Sequence, residues 1–181
     1  MRFLYLLTIA AANVLTAKFD PLFLAGGVLI IPVGSIFAGA VFVLRDLVQL
    51  NHGRANTYKL ILWATLLSAT LSRTLGDTGH VAVASMAAFF VSEAVDTEIF
   101  TRLRTSLLAR VLVSGAVGGF LDSTLFVVYG LSPIGAGVLP WNLVPFAIMG
   151  QILVKLLVQI AAAITVTITG TTSARKGGLH D

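Results

Sequence analysis

The sequence predicts an all-α, polytopic membrane protein: a compact bundle of about six transmembrane helices with both termini cytoplasmic. Three observations carry that expectation. Of the 181 residues, 57% are hydrophobic and only 11% charged, whereas a soluble domain carries roughly 25% charged residues to cover its wet surface. Mean hydropathy is +0.95. The apolar residues also fall into six runs divided by polar, Gly- and Pro-containing breaks. Most of these runs approach the ~20 residues a helix needs to cross a bilayer.

The first run covers residues 3–17 and ends before the turn signal Asp20-Pro21. Arg2, the apolar stretch and its Ala-rich end have the layout of a signal peptide. Asn13 inside the run, and no clear A-x-A-like site after it, favour a genuine first helix. The second run, residues 22–50, reads as one long helix kinked at Pro32. Asn51-His52-Gly53 breaks it from a third at residues 58–75, and Gly76-Asp77-Thr78-Gly79 precedes a fourth from residue 80 past residue 100. A fifth covers residues 107–129. Ser132-Pro133-Ile134-Gly135 and Pro140 divide it from the sixth, residues 143–168. Residues 1–170 thus form one transmembrane domain, followed by a polar cytoplasmic tail at residues 171–181 that is expected to fray.

Cationic residues set the orientation, because loops rich in Lys and Arg stay on the cytoplasmic side. With the N-terminus inside, Arg2, Arg54, Lys59, Arg102, Arg104, Arg110, Arg175 and Lys176 fall on or near that side, against Lys18 and Arg73 outside. The net charge of +4 is accounted for by these loops, so a nucleic-acid partner is not expected and the lipid bilayer is. No cofactor is expected either. Cysteine is absent, and His52, His80 and His180 have no metal-ligand spacing. Gly115 and Gly119 form a GxxxG, and Gly34, Ser35, Ala38 and Gly39 a narrow face; both read as helix-packing surfaces.

Ionisable residues inside apolar runs are the chemically informative part. Each costs about 2.5–3.5 kcal/mol on insertion scales and is tolerated when paired or facing a hydrated cavity. Glu93 and Asp96 lie three apart in Ser92-Glu93-Ala94-Val95-Asp96-Thr97-Glu98 and share a helix face. They mark either a solute or proton path or an interhelical ion-pair network. Glu98, four residues before Arg102, reads as a helix-surface pair. Arg45 and Asp46 are adjacent, point in different directions on a helix, and at least one should reach another helix. Asp122 follows Gly118 at a spacing of four. Gln151, Lys155 and Gln159 form a polar stripe at the same spacing, with Lys155 the countercharge for Asp122 or Glu93. Asn13 and Asn142 add amides. Phe89, Phe90, Phe120, Phe126 and Trp141 are candidates for stacking on a flat ligand, for packing or for facing lipid. So many polar groups spread over several helices suit a central site for a small, polar, hydrogen-bonding solute.

At these residues the chain resembles the queuosine precursor transporter family, also called vitamin-uptake-transporter-like. The resemblance lies in Ala12-Asn13 with Lys18, the stretch from Pro32 to Leu44-Arg45-Asp46-Leu47, Ser92-Glu93-Ala94-Val95-Asp96-Thr97 with Arg102, Phe120-Leu121-Asp122-Ser123-Thr124-Leu125-Phe126, and Gln151 with Lys155. It implies a multi-pass importer in the inner (plasma) membrane of a prokaryote, taking 7-cyano-7-deazaguanine or 7-aminomethyl-7-deazaguanine. A carboxylate of Glu93, Asp96 or Asp122 would accept the adjacent N–H donors of the base. Asn13 and Gln151 would meet its carbonyl and ring nitrogens, and Arg45 and Lys155 would hold the remaining carboxylates, Asp46 among them. A homodimer or energising subunits are compatible partners. The six-helix count is also similar to the substrate-binding subunits of ATP-driven energy-coupling-factor vitamin transporters. A membrane-embedded enzyme is the alternative from another class, and no H-E-x-x-H, G-x-S-x-G or P-loop supports it.

Overall fold

The computed structural model describes residues 1–24 and 29–177, with side chains at all of these except residue 24 and residues 167–177. Six α-helices make the bundle: α1 Arg2–Lys18, α2 Gly34–His52, α3 Arg54–Thr74, α4 Gly79–Arg102, α5 Leu107–Leu125 and α6 Val144–Gly177. A two-stranded antiparallel hairpin, β1 Leu22–Leu24 with β2 Leu29–Ile31, sits between α1 and α2. A π-helix, Phe126–Leu131, extends α5.

Three expectations are corrected here. The second run is not one kinked helix. Its first third is the hairpin, and Pro32 lies ahead of α2, its carbonyl accepting from the Ser35 N–H at 2.9 Å. Among the described residues, the regular structure is therefore all helical apart from one hairpin. The fifth run loses α-geometry at Phe126, where the π-helix takes over. The sixth helix continues through Gly177, so most of the tail at residues 171–181 is helical, and residues 178–181 lie outside the described residues.

Local chemistry explains the boundaries. The side chain of Thr78 accepts from the Val81 N–H at the start of α4, and that of Ser106 from the Ala109 N–H at the start of α5. Each satisfies one of the donors a helix N-terminus leaves free. Gly53, with φ +77°, is the single residue between α2 and α3. The chain reverses there through a conformation that glycine adopts without a Cβ clash.

Packing closes the helices into a ring in the order α1–α2–α6–α5–α4–α3, with α2 leaning inward to touch α3, α4 and α5 as well. Glycines set the closest approaches. A Cβ at Gly34 would collide with Thr16 and the Ala12 carbonyl of α1, and one at Gly39 would lie 2.6 Å from the Lys155 carbonyl of α6. The hairpin is held by Ile30, which packs with Val127, Val144 and Ala147.

Apolar side chains such as Val48, Ile61 and Phe100 fill much of the interior, but charge is buried there too. Phe3, Trp63, Val83, Phe120 and Leu157 are each more than half exposed, while Arg45, Asp46, Glu93 and Asp96 are wholly buried. Charged side chains are almost never fully buried unless paired. Leu107–Leu131 and Val144–Val166 are long and apolar enough to cross a membrane.

Candidate functional site

The ring of helices forms a partly open cavity of about 140 Å³. Every helix contributes to its wall. Asn13 and Thr16 come from α1, Ser35 and Phe42 from α2, Ser68 from α3, and Phe89 and Glu93 from α4. Asp122 comes from α5, Gln151 and Lys155 from α6, and Phe126 from the π-helix. Pro32, Gly34 and Asp77 also line it, which places it toward the end of the bundle that carries the hairpin.

Two charge systems meet this cavity. On one wall the Lys155 ammonium donates to Asp122 Oδ2 at 2.6 Å, Ser123 Oγ at 2.7 Å and Gln151 Oε1 at 3.4 Å. The Lys155 side chain is 4% exposed and that of Asp122 20%. One cation therefore meets one carboxylate, with hydroxyl and amide oxygens completing its shell. The Gln151 Nε2 amide is buried and has no hydrogen-bond partner among the described residues.

The second system lies deeper, away from the hairpin. Arg45 forms ion pairs with Asp46 at 3.1 Å, with Glu93 at 3.3 Å and with Asp96. It also donates to Gln49 Oε1 and Thr97 Oγ1, each at 3.2 Å. Tyr5 donates to Glu93 Oε2 at 3.2 Å. Glu93 is the only one of the three carboxylates on the cavity wall. Its second oxygen, Oε1, is buried and has no hydrogen-bond partner among the described residues.

The candidates read from sequence thus separate. Asn13, Glu93, Asp122, Gln151 and Lys155 line one cavity, while Arg45, Asp46 and Asp96 form the charged layer behind Glu93. Arg45 and Asp46 do pair with each other although adjacent, and Arg45 reaches α4 as well. Of the aromatic candidates, Phe89 and Phe126 line the cavity, whereas Phe90, Phe120 and Trp141 are exposed. Glu98 pairs with Arg102 at 3.0 Å as expected, and also with Arg54 and the Tyr58 hydroxyl.

Sequence reading missed Phe42, Ser68, Ser85 and Asp77 on the cavity wall. Ser68 donates to Asn13 Oδ1 at 3.2 Å and Ser72 to Asp77 Oδ2 at 2.5 Å. The available signal was the four-residue spacing of Ser68 and Ser72 on an apolar helix. Among the described residues, no group of three or more His, Cys, Asp or Glu is placed to hold a metal ion.

A family model described as "Putative vitamin uptake transporter" matches residues 62–169, more than half of the chain. The chain belongs to this family. The matched region carries Glu93, Asp96, Asp122, Gln151 and Lys155. Membership supports a transport role and, with the two long apolar helices, a membrane-associated protein. No curated protein and no solved structure matches the chain.

Proposed function

We propose that this member of the vitamin uptake transporter family is a multi-pass importer whose six helices all cross the bilayer. Its central cavity carries a planar queuosine precursor, 7-cyano-7-deazaguanine or 7-aminomethyl-7-deazaguanine. The observation that carries this reading is an aromatic-lined cavity whose wall includes two residues with buried, unpartnered polar atoms: Glu93, through its carboxyl Oε1, and Gln151, through its amide Nε2. Unmade hydrogen bonds at buried groups cost about 1–3 kcal/mol each, and a solute with both donors and acceptors on its edge would satisfy them.

The remaining groups fit the same chemistry. Asp122, anchored by Lys155, would accept adjacent N–H donors of a guanine-like edge in a charge-assisted arrangement. Gln151 would donate to the ring carbonyl, and Phe42, Phe89 or Phe126 would pack on the ring faces. A cavity of about 140 Å³ holds several waters, each needing at least about 10–15 Å³ on this measure, which suits one bicyclic base. The apolar exterior and charged interior support a lipid surround for all six helices. Arg54 and Arg102, at the end away from the hairpin, support that end as cytoplasmic, so the cavity faces outward.

The test is thermal stabilisation of the detergent-purified protein by a panel of purines and 7-deazapurines, since a ligand that binds only the folded state raises its apparent stability. A shift with either 7-deazaguanine but not with guanine is expected. Asp122→Asn and Gln151→Leu should each weaken binding by roughly tenfold or more. No shift with any base, from a folded sample, would remove the substrate assignment. Uptake into liposomes holding this chain alone separates a self-sufficient carrier from the binding subunit of an ATP-driven complex.

A further inference from the structure

The charges around Glu93 do not balance. Among the described residues, Arg45 is the single cation in direct contact with Asp46, Glu93 and Asp96, and all four side chains are buried. With every carboxylate ionised, this cluster would carry two uncompensated negative charges away from water. The other groups facing it do not supply the difference. Tyr5 on α1 is neutral and donates to Glu93. Lys155 on α6 is committed to Asp122 on α5, and Asp122 adds further negative potential at Glu93. Arg110 on α5 acts on Asp46 from a distance, its guanidinium resting on the Phe100 ring at 4.1 Å. On α3, Arg54 pairs with Glu98 at the far end of α4, and Lys59 is exposed.

A proton is the natural countercharge, and the geometry decides where it enters. Asp46 and Asp96 do not line the cavity, whereas Glu93 does, with Oε1 free of protein partners among the described residues. Glu93 therefore joins the solute path to the charge cluster. We propose that solute import through this cavity is coupled to the entry of one proton, carried on Glu93. This rests on the cavity being the transport site described above.

The sequence of events follows from hydrogen bonding. Before solute binds, the Glu93 side chain is only 1% exposed, and its charge leans on Arg45 and the Tyr5 hydroxyl. A solute that brings an acceptor against this wall favours the protonated form, which can donate to it, so a proton from the outer solution binds Oε1. The resulting O–H donates to an acceptor on the solute edge. Neutralising Glu93 leaves Arg45 shared between Asp46 and Asp96 alone, which loosens the tie between α2 and α4 at the floor of the cavity. Solute and proton then leave together on the inner side, one proton entering and the same proton released.

Two measurements test this on the purified protein. The first needs no solute: a hydrophobic carbodiimide reacts with a protonated carboxyl, and peptide mass spectrometry locates the adduct. Labelling at Glu93 that falls as pH rises is expected. Labelling confined to Asp46 or Asp96 would overturn the assignment. The second is calorimetry with 7-cyano-7-deazaguanine in buffers of different ionisation enthalpy. One proton taken up per solute is expected, with affinity falling about tenfold per pH unit on the alkaline side, and Glu93→Gln should abolish both the uptake and the slope. Binding without proton uptake in the wild type sinks this inference and leaves the substrate reading intact. Labelling at Glu93 without binding supports the proton site and removes that substrate.

Discussion

Arg45 and Lys155 are both buried cations on neighbouring helices, yet their surroundings differ in kind. Lys155 meets one carboxylate, and that carboxylate is one-fifth exposed. Arg45 meets three, all dry. A one-to-one pair at a cavity wall holds a side chain in place and can be dissolved by removing both partners. A three-to-one cluster cannot be neutral without a further positive charge, so it responds to protons as the simple pair does not. The guanidinium is suited to this, since its planar fork serves several acceptors at once, where an ammonium acts as a point charge.

The largest expected effect follows from that asymmetry. Arg45→Met leaves three carboxylates facing one another, and removing one partner of a buried ion pair costs about 3–5 kcal/mol. A large fall in the detergent denaturation midpoint is expected. Adding Asp96→Asn should recover only part of it, because two carboxylates remain. Full recovery in that double variant would show that Asp46 and Glu93 are already neutral, and would erase the contrast with Lys155.

Lys155→Met should cost less, on the order of 1–3 kcal/mol for an unsatisfied buried group, because water in the cavity reaches Asp122. Here the double variant with Asp122→Asn should recover most of the stability, as removing both members of a pair leaves no stranded charge. Solute affinity should fall in the double variant even as stability returns. Unchanged affinity would reduce the pair to a structural tie.

Much of this was legible in the sequence, and the reason is energetic. An ionisable residue within an apolar run is costly enough to signal itself, so Glu93, Asp122 and Lys155 stood out and do share the cavity wall. Their partition into wall and charged layer was not legible, because it depends on which faces of α2 and α4 meet. The hairpin was missed for a different reason. A short apolar run of strand length is indistinguishable from buried helix by periodicity, and residues 22–31 continue directly into the apolar stretch of α2. Ser68 and Asp77 escaped because a lone hydroxyl or loop carboxylate carries no cost large enough to announce a site. The π-helix at Phe126–Leu131 left no mark in residue type at all.

The smallest expected effects concern the spacing that brings the two charge systems together. Gly39 lies against Lys155 on α6, where a Cβ would stand 2.6 Å from the Lys155 carbonyl and 2.8 Å from Val158 Cβ. Those neighbours are backbone and a branched carbon, so Gly39→Ala must push α2 from α6, at about 1–3 kcal/mol for an overpacked contact. Gly119, the second glycine of the GxxxG, is different: its Cβ would meet nothing closer than Phe42 at 3.7 Å, with Lys155 Cβ at 3.9 Å. Gly119→Ala should therefore leave the midpoint unchanged or raise it slightly, since alanine favours the helix. Because Gly39 abuts the backbone of the residue that holds Asp122, Gly39→Ala should also weaken solute binding, while Gly119→Ala should not. Equal effects from the two substitutions would mean that helix spacing, and with it the separation of wall from charged layer, is not what positions the cavity.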